Sequence, residues 1–350
     1  MNDPFKSLSL PDLDAATSAY PAIERQFNFR CREWVSRGLS FYELPRLYQW
    51  LLIPSGLAPL KLAIIDRCLD DLYGRDTQLN KQIKRLDTFR SDNQVFNFLT
   101  EFLVISNLLS RGVCNFAYEE FLVDHAPRFD ANFDFDGKRV RLDITHKEDV
   151  YPLEQTAGTL SINLEYASPD CGGHIDVAPP TRQNYHDGSI IHSVNFSDKE
   201  LRTTIEMLLE TMRSLPAKKV SVPCSNPSFK LTVDPNSQYW RRTWSRTDES
   251  TDIQGYLSSI RRKAHGSRLI RDSSYMILAL DFNPDSHFHK GSPFRTQLGQ
   301  ELAAFDLSTS SNFSEVTTFS MRLETGQFEN ADSLWCQGDE GSIFLKLIGQ

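Results

Sequence analysis

The chain has 350 residues, 40% of them hydrophobic and 24% charged, and a formal net charge of −8. That length and composition fit a globular protein of one or two domains with a substantial core. No run approaches the ~20 apolar residues that a membrane-spanning helix needs, and the acidic balance counts against a sequence-blind polyanion binder, whose net charge would be positive.

The N-terminal Met1-Asn2-Asp3-Pro4-Phe5-Lys6 lacks the basic and apolar regions of a secretory signal, so a cytoplasmic location without a membrane partner is expected. Residues 1–20, rich in Ser, Asp and Pro, read as a loosely ordered arm. Helices are expected after it: Phe41 to Trp50, with Pro45 in its first turn; Leu57 to Tyr73, on the spacing of Leu60, Ile64, Ile65 and Leu69; and a polar surface helix over Arg75 to Arg90. Residues 1–91 thus form a helical N-terminal region. Six scattered cysteines with no Cys-x-x-Cys pair argue against structural zinc and a disulfide framework.

Residues 92–111 read as a helix with Asp92 as N-cap and Gly112 at C′. Its centre is apolar almost all round, which suits a buried helix. Glu101 is the only ionisable residue between Asp92 and Arg111. A carboxylate in such surroundings shifts its pKa or finds a cation.

A β-hairpin follows. Apolar and polar residues alternate on both sides of Asp136-Gly137, the signature of a two-residue type I′ turn. The implied register pairs Phe133 with Val140, Ala131 with Leu142 and Phe129 with Ile144 on an apolar face. On the polar face it pairs Asp134 with Arg139, Asn132 with Arg141, and Asp130 with Asp143. Directly opposed like charges destabilise a strand pair. A hard divalent cation such as Mg²⁺, Ca²⁺ or Mn²⁺ would reverse the sign of that contact. The alternative is an exposed hairpin edge that tolerates two aspartates.

Beyond the hairpin, Leu160 to Tyr166 alternates like a strand. Ser197 to Ser214 reads as a helix opened by a Ser197/Glu200 capping box, and Lys218 to Val222 and Ser228 to Val233 as strands. Residues 148–250 then make an inserted α+β region or subdomain, and 251–350 the remainder. In that remainder Asp252 to His265 reads as a helix, Tyr275 to Asp281 as a buried strand, and Val316 to Leu323 and Ile343 to Ile348 as strand-like segments. From Tyr239 to Arg271 eight Lys or Arg residues stand against three acidic ones, with aromatics interleaved around Trp240, Arg241, Arg242 and Trp244 and a basic run at Arg261, Arg262 and Lys263. Rings that stack on bases beside guanidinium groups that hold phosphates make this stretch the candidate nucleic-acid contact.

Glu101 in a helix, then Pro127-Arg128-Phe129-Asp130, the hairpin and Asp143-Ile144-Thr145 resemble the core of the PD-(D/E)xK nuclease superfamily. The resemblance implies an α/β fold with a restriction-endonuclease-like core and mixed central sheet, the helix and metal-binding hairpin falling in 92–147. It implies that Glu101, Asp130 and Asp143 hold Mg²⁺ (or Mn²⁺) for hydrolysis of a phosphodiester, with DNA as the expected partner and restriction or anti-phage defence as the setting. The family's Lys is Thr145 here, so Arg128 or Lys147 would have to take its catalytic place. The alternative is a nuclease-like subunit that binds nucleic acid or a larger protein assembly without cutting.

Overall fold

The computed structural model describes residues 2–53, 56–118, 129–146, 152–177, 197–214, 220–222, 229–234, 236–237, 239–244, 250–270, 273–281, 293–305, 311–322, 327–337 and 341–349. The fold is mixed α/β. The chain divides into two compact units, one comprising Met1–Arg67, Lys84–Val95 and Asp149–Thr247, the other Cys68–Ile83, Phe96–Glu148 and Asp248–Gln350.

Unit 1 begins with helices α1 (Leu10–Thr17), α2 (Pro21–Ser36) and α3 (Arg46–Leu51), followed by α4 (Ala58–Leu72), whose last residues belong to unit 2. Two expectations are corrected here. The N-terminal arm contains a helix, α1. The helix expected over Phe41 to Trp50 is a 3-10 turn, Phe41–Glu43, and then α3. Pro45 causes the break, because the residue before a proline is pushed out of the helical region. Leu44 accordingly lies at φ −68°, ψ 150°. The stretch expected as a polar surface helix is a short helix, α5 (Thr77–Ile83), and a 3-10 turn, with Leu79, Ile83 and Leu86 buried.

The rest of unit 1 is a four-stranded sheet of β4 (Gly172–Val177), β5 (Val220–Val222), β6 (Phe229–Asp234) and β7 (Trp240–Trp244), in the order β5-β6-β4-β7. It packs with α7 (Pro152–Ala167) and α8 (Asp198–Ser214) around Leu160, Leu164, Ile205, Leu208, Leu231 and Trp240. The strand expected at Leu160 to Tyr166 is the C-terminal half of α7. Every residue from Leu160 to Leu164 is buried, so the sequence carries no one-sided helical stripe. The polar residues among them bond along the helix instead: Ser161 Oγ donates to the Gly158 carbonyl at 3.0 Å and Asn163 Nδ2 to the Thr159 carbonyl at 2.8 Å. The Ser197/Glu200 capping box that opens α8 forms as expected, with both reciprocal hydrogen bonds in place.

Unit 2 is built on a six-stranded mixed sheet of β1 (Cys114–Tyr118), β2 (Ala131–Phe135), β3 (Lys138–His146), β8 (Tyr275–Asp281), β9 (Glu315–Arg322) and β10 (Gln327–Cys336). The strands lie in sequence order across the sheet. β1, β2 and β3 run antiparallel, β3, β8 and β9 run parallel, and β10 returns antiparallel. Before β1 comes α6 (Asp92–Ser110), closed by Gly112 at φ 75°. Helices α9 (Ser250–Ser267) and α10 (Pro293–Ala304) pack on the sheet through Leu257, Ile260, Ala264, Leu298 and Leu302 against Met276, Leu278, Leu280 and Val316.

The last segment, expected as a strand, is a short helix, α11 (Ile343–Ile348). Ser342 caps it by accepting from Leu345 N at 2.9 Å, and Gly349 ends it at φ 84°. The fully buried Glu315 on β9 accepts hydrogen bonds from Ser342 Oγ, Ile343 N at 3.0 Å and Phe344 N at 3.3 Å. One inward carboxylate thereby ties the N-terminus of α11 to the sheet.

Candidate functional site

The hairpin forms in the expected register. Phe133 pairs with Val140, Ala131 with Leu142, Asn132 with Arg141 and Asp134 with Arg139. Asp136 and Gly137 take φ 52° and 72°, as a type I′ turn demands. The polar face is not an exposed edge, however. β3 continues into the sheet through β8, and Asn132, Arg141 and Asp143 are 0%, 5% and 6% exposed. Asn132 Oδ1 accepts from Arg141 Nη1 at 3.0 Å, which satisfies part of that buried pair.

The ladder stops one residue short of the two aspartates. β2 begins at Ala131, and the Asp130 carboxylate turns toward β3, where its Oδ2 accepts from Ile144 N at 2.6 Å. Asp130 therefore sits next to Asp143 through a backbone hydrogen bond rather than as a cross-strand neighbour. Glu101, half-buried on α6, accepts from the hydroxyl of Tyr118 at the end of β1, and Tyr118 pairs with Ala131. Asp143 accepts from Lys263 on α9.

These side chains act on one another electrostatically. The Asp130 carboxyl is pushed well above the usual carboxylate range, first by burial and then by the charges of Glu101 and Asp143. The Ile144 N–H and the Lys263 ammonium pull it back. The charges of Glu101 on α6 and Asp143 on β3 thus both act on Asp130, just before β2. The three acids are not yet a ligand cage: among the described residues no three His, Cys, Asp or Glu side chains stand close enough together to hold a metal ion. Tyr118 engages Glu101, and Lys263 engages Asp143. The donor set itself, carboxylate oxygens with mutual repulsion, is the chemistry that a hard divalent cation relieves.

Thr145, at the position where the resemblance would place a lysine, lies opposite Leu280 on β8, and its buried hydroxyl has no hydrogen-bond partner among the described residues. Arg128 and Lys147, the two expected substitutes, lie outside the described residues. Among the described residues, the cation that reaches the acids is Lys263, which was expected to contact nucleic acid. Its signal in the sequence is positional. Leu257, Ile260, Ala264 and Ser267 form the buried stripe of α9, and Lys263 falls beside them at i+3 from Ile260. Tyr118 carried no comparable signal.

The expected nucleic-acid stretch is corrected in three further ways. Trp240 is 4% exposed and belongs to the core of unit 1. Arg242 Nη1 donates to Asp92 Oδ2 at 2.9 Å and is engaged internally. The stretch is also divided, with 239–247 in unit 1 and 248–271 in unit 2. Arg241, Arg261 and Arg262 are exposed as expected, Arg261 lying over the Phe305 ring at 5.4 Å, and the Trp244 side chain lies outside the described residues. Asp92 is also not the N-cap of α6. Ser91 takes that place with Gln94, Gln94 N donating to Ser91 Oγ and Ser91 N to Gln94 Oε1, both at 3.3 Å.

No protein-family model matches the chain, and neither does any curated protein or solved structure compared with it.

Proposed function

We propose that unit 2 is a metal-dependent phosphodiesterase acting on nucleic acid, built on a restriction-endonuclease-like core of the PD-(D/E)xK kind. The observation that carries the reading is the convergence of Asp130, Asp143 and Glu101 with one inward lysine, Lys263. The order of elements supports it: an acid-bearing helix, an antiparallel three-stranded meander with the hairpin, then a helix and a buried parallel strand.

Asp130 and Asp143 would hold the cation, with Glu101 completing the set. A bound Mg²⁺ or Mn²⁺ supplies Lewis-acid stabilisation of charge on the phosphate. The chain's own residues do the rest. Tyr118 fixes the orientation of the Glu101 carboxylate by hydrogen bonding. Asp130 is anchored through the Ile144 N–H. Lys263 brings a positive charge to the place where Thr145 cannot, from α9 instead of β3, and there it offsets negative charge that develops on the phosphate. Arg261 and Arg262, exposed beside Lys263 on the same helix, offer phosphate contacts along a strand of nucleic acid.

A reading in which the core binds without cutting draws on one observation: Glu101 and Asp143 are already satisfied by Tyr118 and Lys263. Plasmid DNA and single-stranded RNA incubated with Mg²⁺ or Mn²⁺, beside Asp143→Ala and Lys263→Met variants, separate the two. Metal-dependent cleavage by the wild type and its loss in both variants is expected. Retained binding with no cleavage under any divalent metal would favour the non-cutting reading.

A further inference from the structure

Helices α7 and α8 of unit 1 cover one face of its sheet, packing on Ile175, Val177, Leu231, Val233 and Trp240. Strand alternation sends the residues between these to the other face. There His174 and Asp176 on β4 and Thr232 on β6 are half-buried, while Lys230, Arg241 and Thr243 are exposed. Three of these side chains converge. Parallel pairing of β4 with β7 sets Thr243 beside Asp176, two residues after His174. Thr243 Oγ1 lies 3.0 Å from His174 Nε2 and donates to Asp176 Oδ1 at 3.0 Å.

That spacing also fits a shared ion. Neighbouring donor atoms held ~2.1 Å from one metal stand about 3.0 Å apart in octahedral geometry and about 3.4 Å apart in tetrahedral geometry. A hydroxyl has one proton, and Thr243 gives it to Asp176, so the bond to His174 needs a proton on Nε2. With the ring proton on Nδ1 instead, Nε2, Oδ1 and Oγ1 would offer three lone pairs to one point. Among the described residues no ion pair engages His174 or Asp176. Lys230, opposite Asp176 on β6, makes none with it. Arg241, opposite His174, turns back to Tyr239 and donates to its hydroxyl at 3.2 Å.

We infer that the outward face of the unit 1 sheet carries a binding site for a first-row divalent transition metal such as Zn²⁺, formed by His174 Nε2, Asp176 Oδ1 and the Thr243 hydroxyl. The donor type sets the class. Imidazole nitrogen beside a carboxylate suits zinc, cobalt and nickel, whereas Mg²⁺ and Ca²⁺ take oxygen alone. Two ionisable ligands and a hydroxyl are fewer than a structural zinc cage supplies, so water fills the remaining positions and the ion stays open to solvent. The site stands independently of the activity proposed for unit 2, whose carboxylates are oxygen donors only.

Isothermal titration of the full chain with Zn²⁺ tests it, with accessible thiols blocked by iodoacetamide and Mg²⁺ in excess to occupy all-oxygen sites. Saturable binding is expected, weakened about tenfold or more in His174→Gln and in Asp176→Asn, since loss even of a ligand's supporting partner has that effect. Thr243→Ser keeps the hydroxyl and should bind like the wild type, while Thr243→Val should bind more weakly. Lys230→Met, which removes a neighbouring positive charge, is expected to tighten binding. Circular dichroism checks each variant's fold. Anomalous scattering at the zinc edge from soaked crystals of the wild type needs no variant, and its peak is expected within bonding distance of His174 Nε2 and Asp176 Oδ1. No saturable component below about 1 mM, equal affinity in a folded His174→Gln or Asp176→Asn, or zinc peaks only at other residues would overturn the assignment.

Discussion

Lys263→Met removes the cation that faces Asp143 while keeping the length and apolar stem of the side chain. In the native protein the Asp143 side chain is 8% exposed and that of Lys263 26% exposed. Deleting one partner of so buried a pair takes the lysine from a carboxylate that stays buried, at a cost of about 3 kcal/mol and up to ~5. Asp130 and Glu101 add to that cost, since both lie in the same field. A divalent cation should then do for Asp143 what the lysine did. At a metal concentration of about 100 times its Kd, mass action restores ~2.7 kcal/mol. Urea unfolding in EDTA and in Mg²⁺ measures both quantities: a loss near 3 kcal/mol without metal, most of it recovered with metal, and a smaller metal effect in the wild type. A loss below about 1 kcal/mol, or a loss that metal leaves untouched, would refute the claim that lysine and cation serve the same carboxylates.

Three other outcomes follow from the geometry. Asp92→Asn should cost about 3–5 kcal/mol at pH 7, because it leaves Arg46 buried without its anion. Since Asp92 titrates below its unfolded value, its contribution is complete above about pH 4 and fades as pH falls further, so stability curves of wild type and variant should converge in acid. Glu315→Ala should cost roughly 2–3 kcal/mol by leaving the first amides of α11 unpaired, with Glu315→Gln recovering most of it; equal denaturation midpoints for all three would contradict that tie. Gly137→Val places a β-branched residue at φ 72°, and chemical denaturation should register a loss of roughly 1–3 kcal/mol with no loss of metal binding.

The hairpin was legible because its evidence is local. Asp136-Gly137 specifies the turn, and alternation on each side specifies the register. Glu101 was legible as a lone charge in an apolar helix. What the sequence concealed depended on partners distant in the chain. Lys263 is 120 residues from Asp143, and nothing near either residue announces the other. Asp92 looked like a cap because its residue type suits one, but Ser91 and Gln94 perform that role and Asp92 pairs with arginines 46 and 150 residues away. Trp240 and Arg242 looked like a nucleic-acid contact because aromatic and basic residues alternate there; the alternation is that of a strand with Trp240 in the core. In α7 burial on every side erased the helical period, and in α11 six residues are too few to show one.

The reading of unit 2 turns on whether one ion can join Asp130 and Asp143. Crystals of the protein soaked in Mn²⁺ and measured at the manganese absorption edge test this directly. The expected result is a single anomalous peak bonded to Asp130 and Asp143, with the Lys263 ammonium moved off Asp143 and Glu101 turned toward the ion. Saturating Mn²⁺ with no peak among these carboxylates, and Lys263 still seated on Asp143, would contradict it.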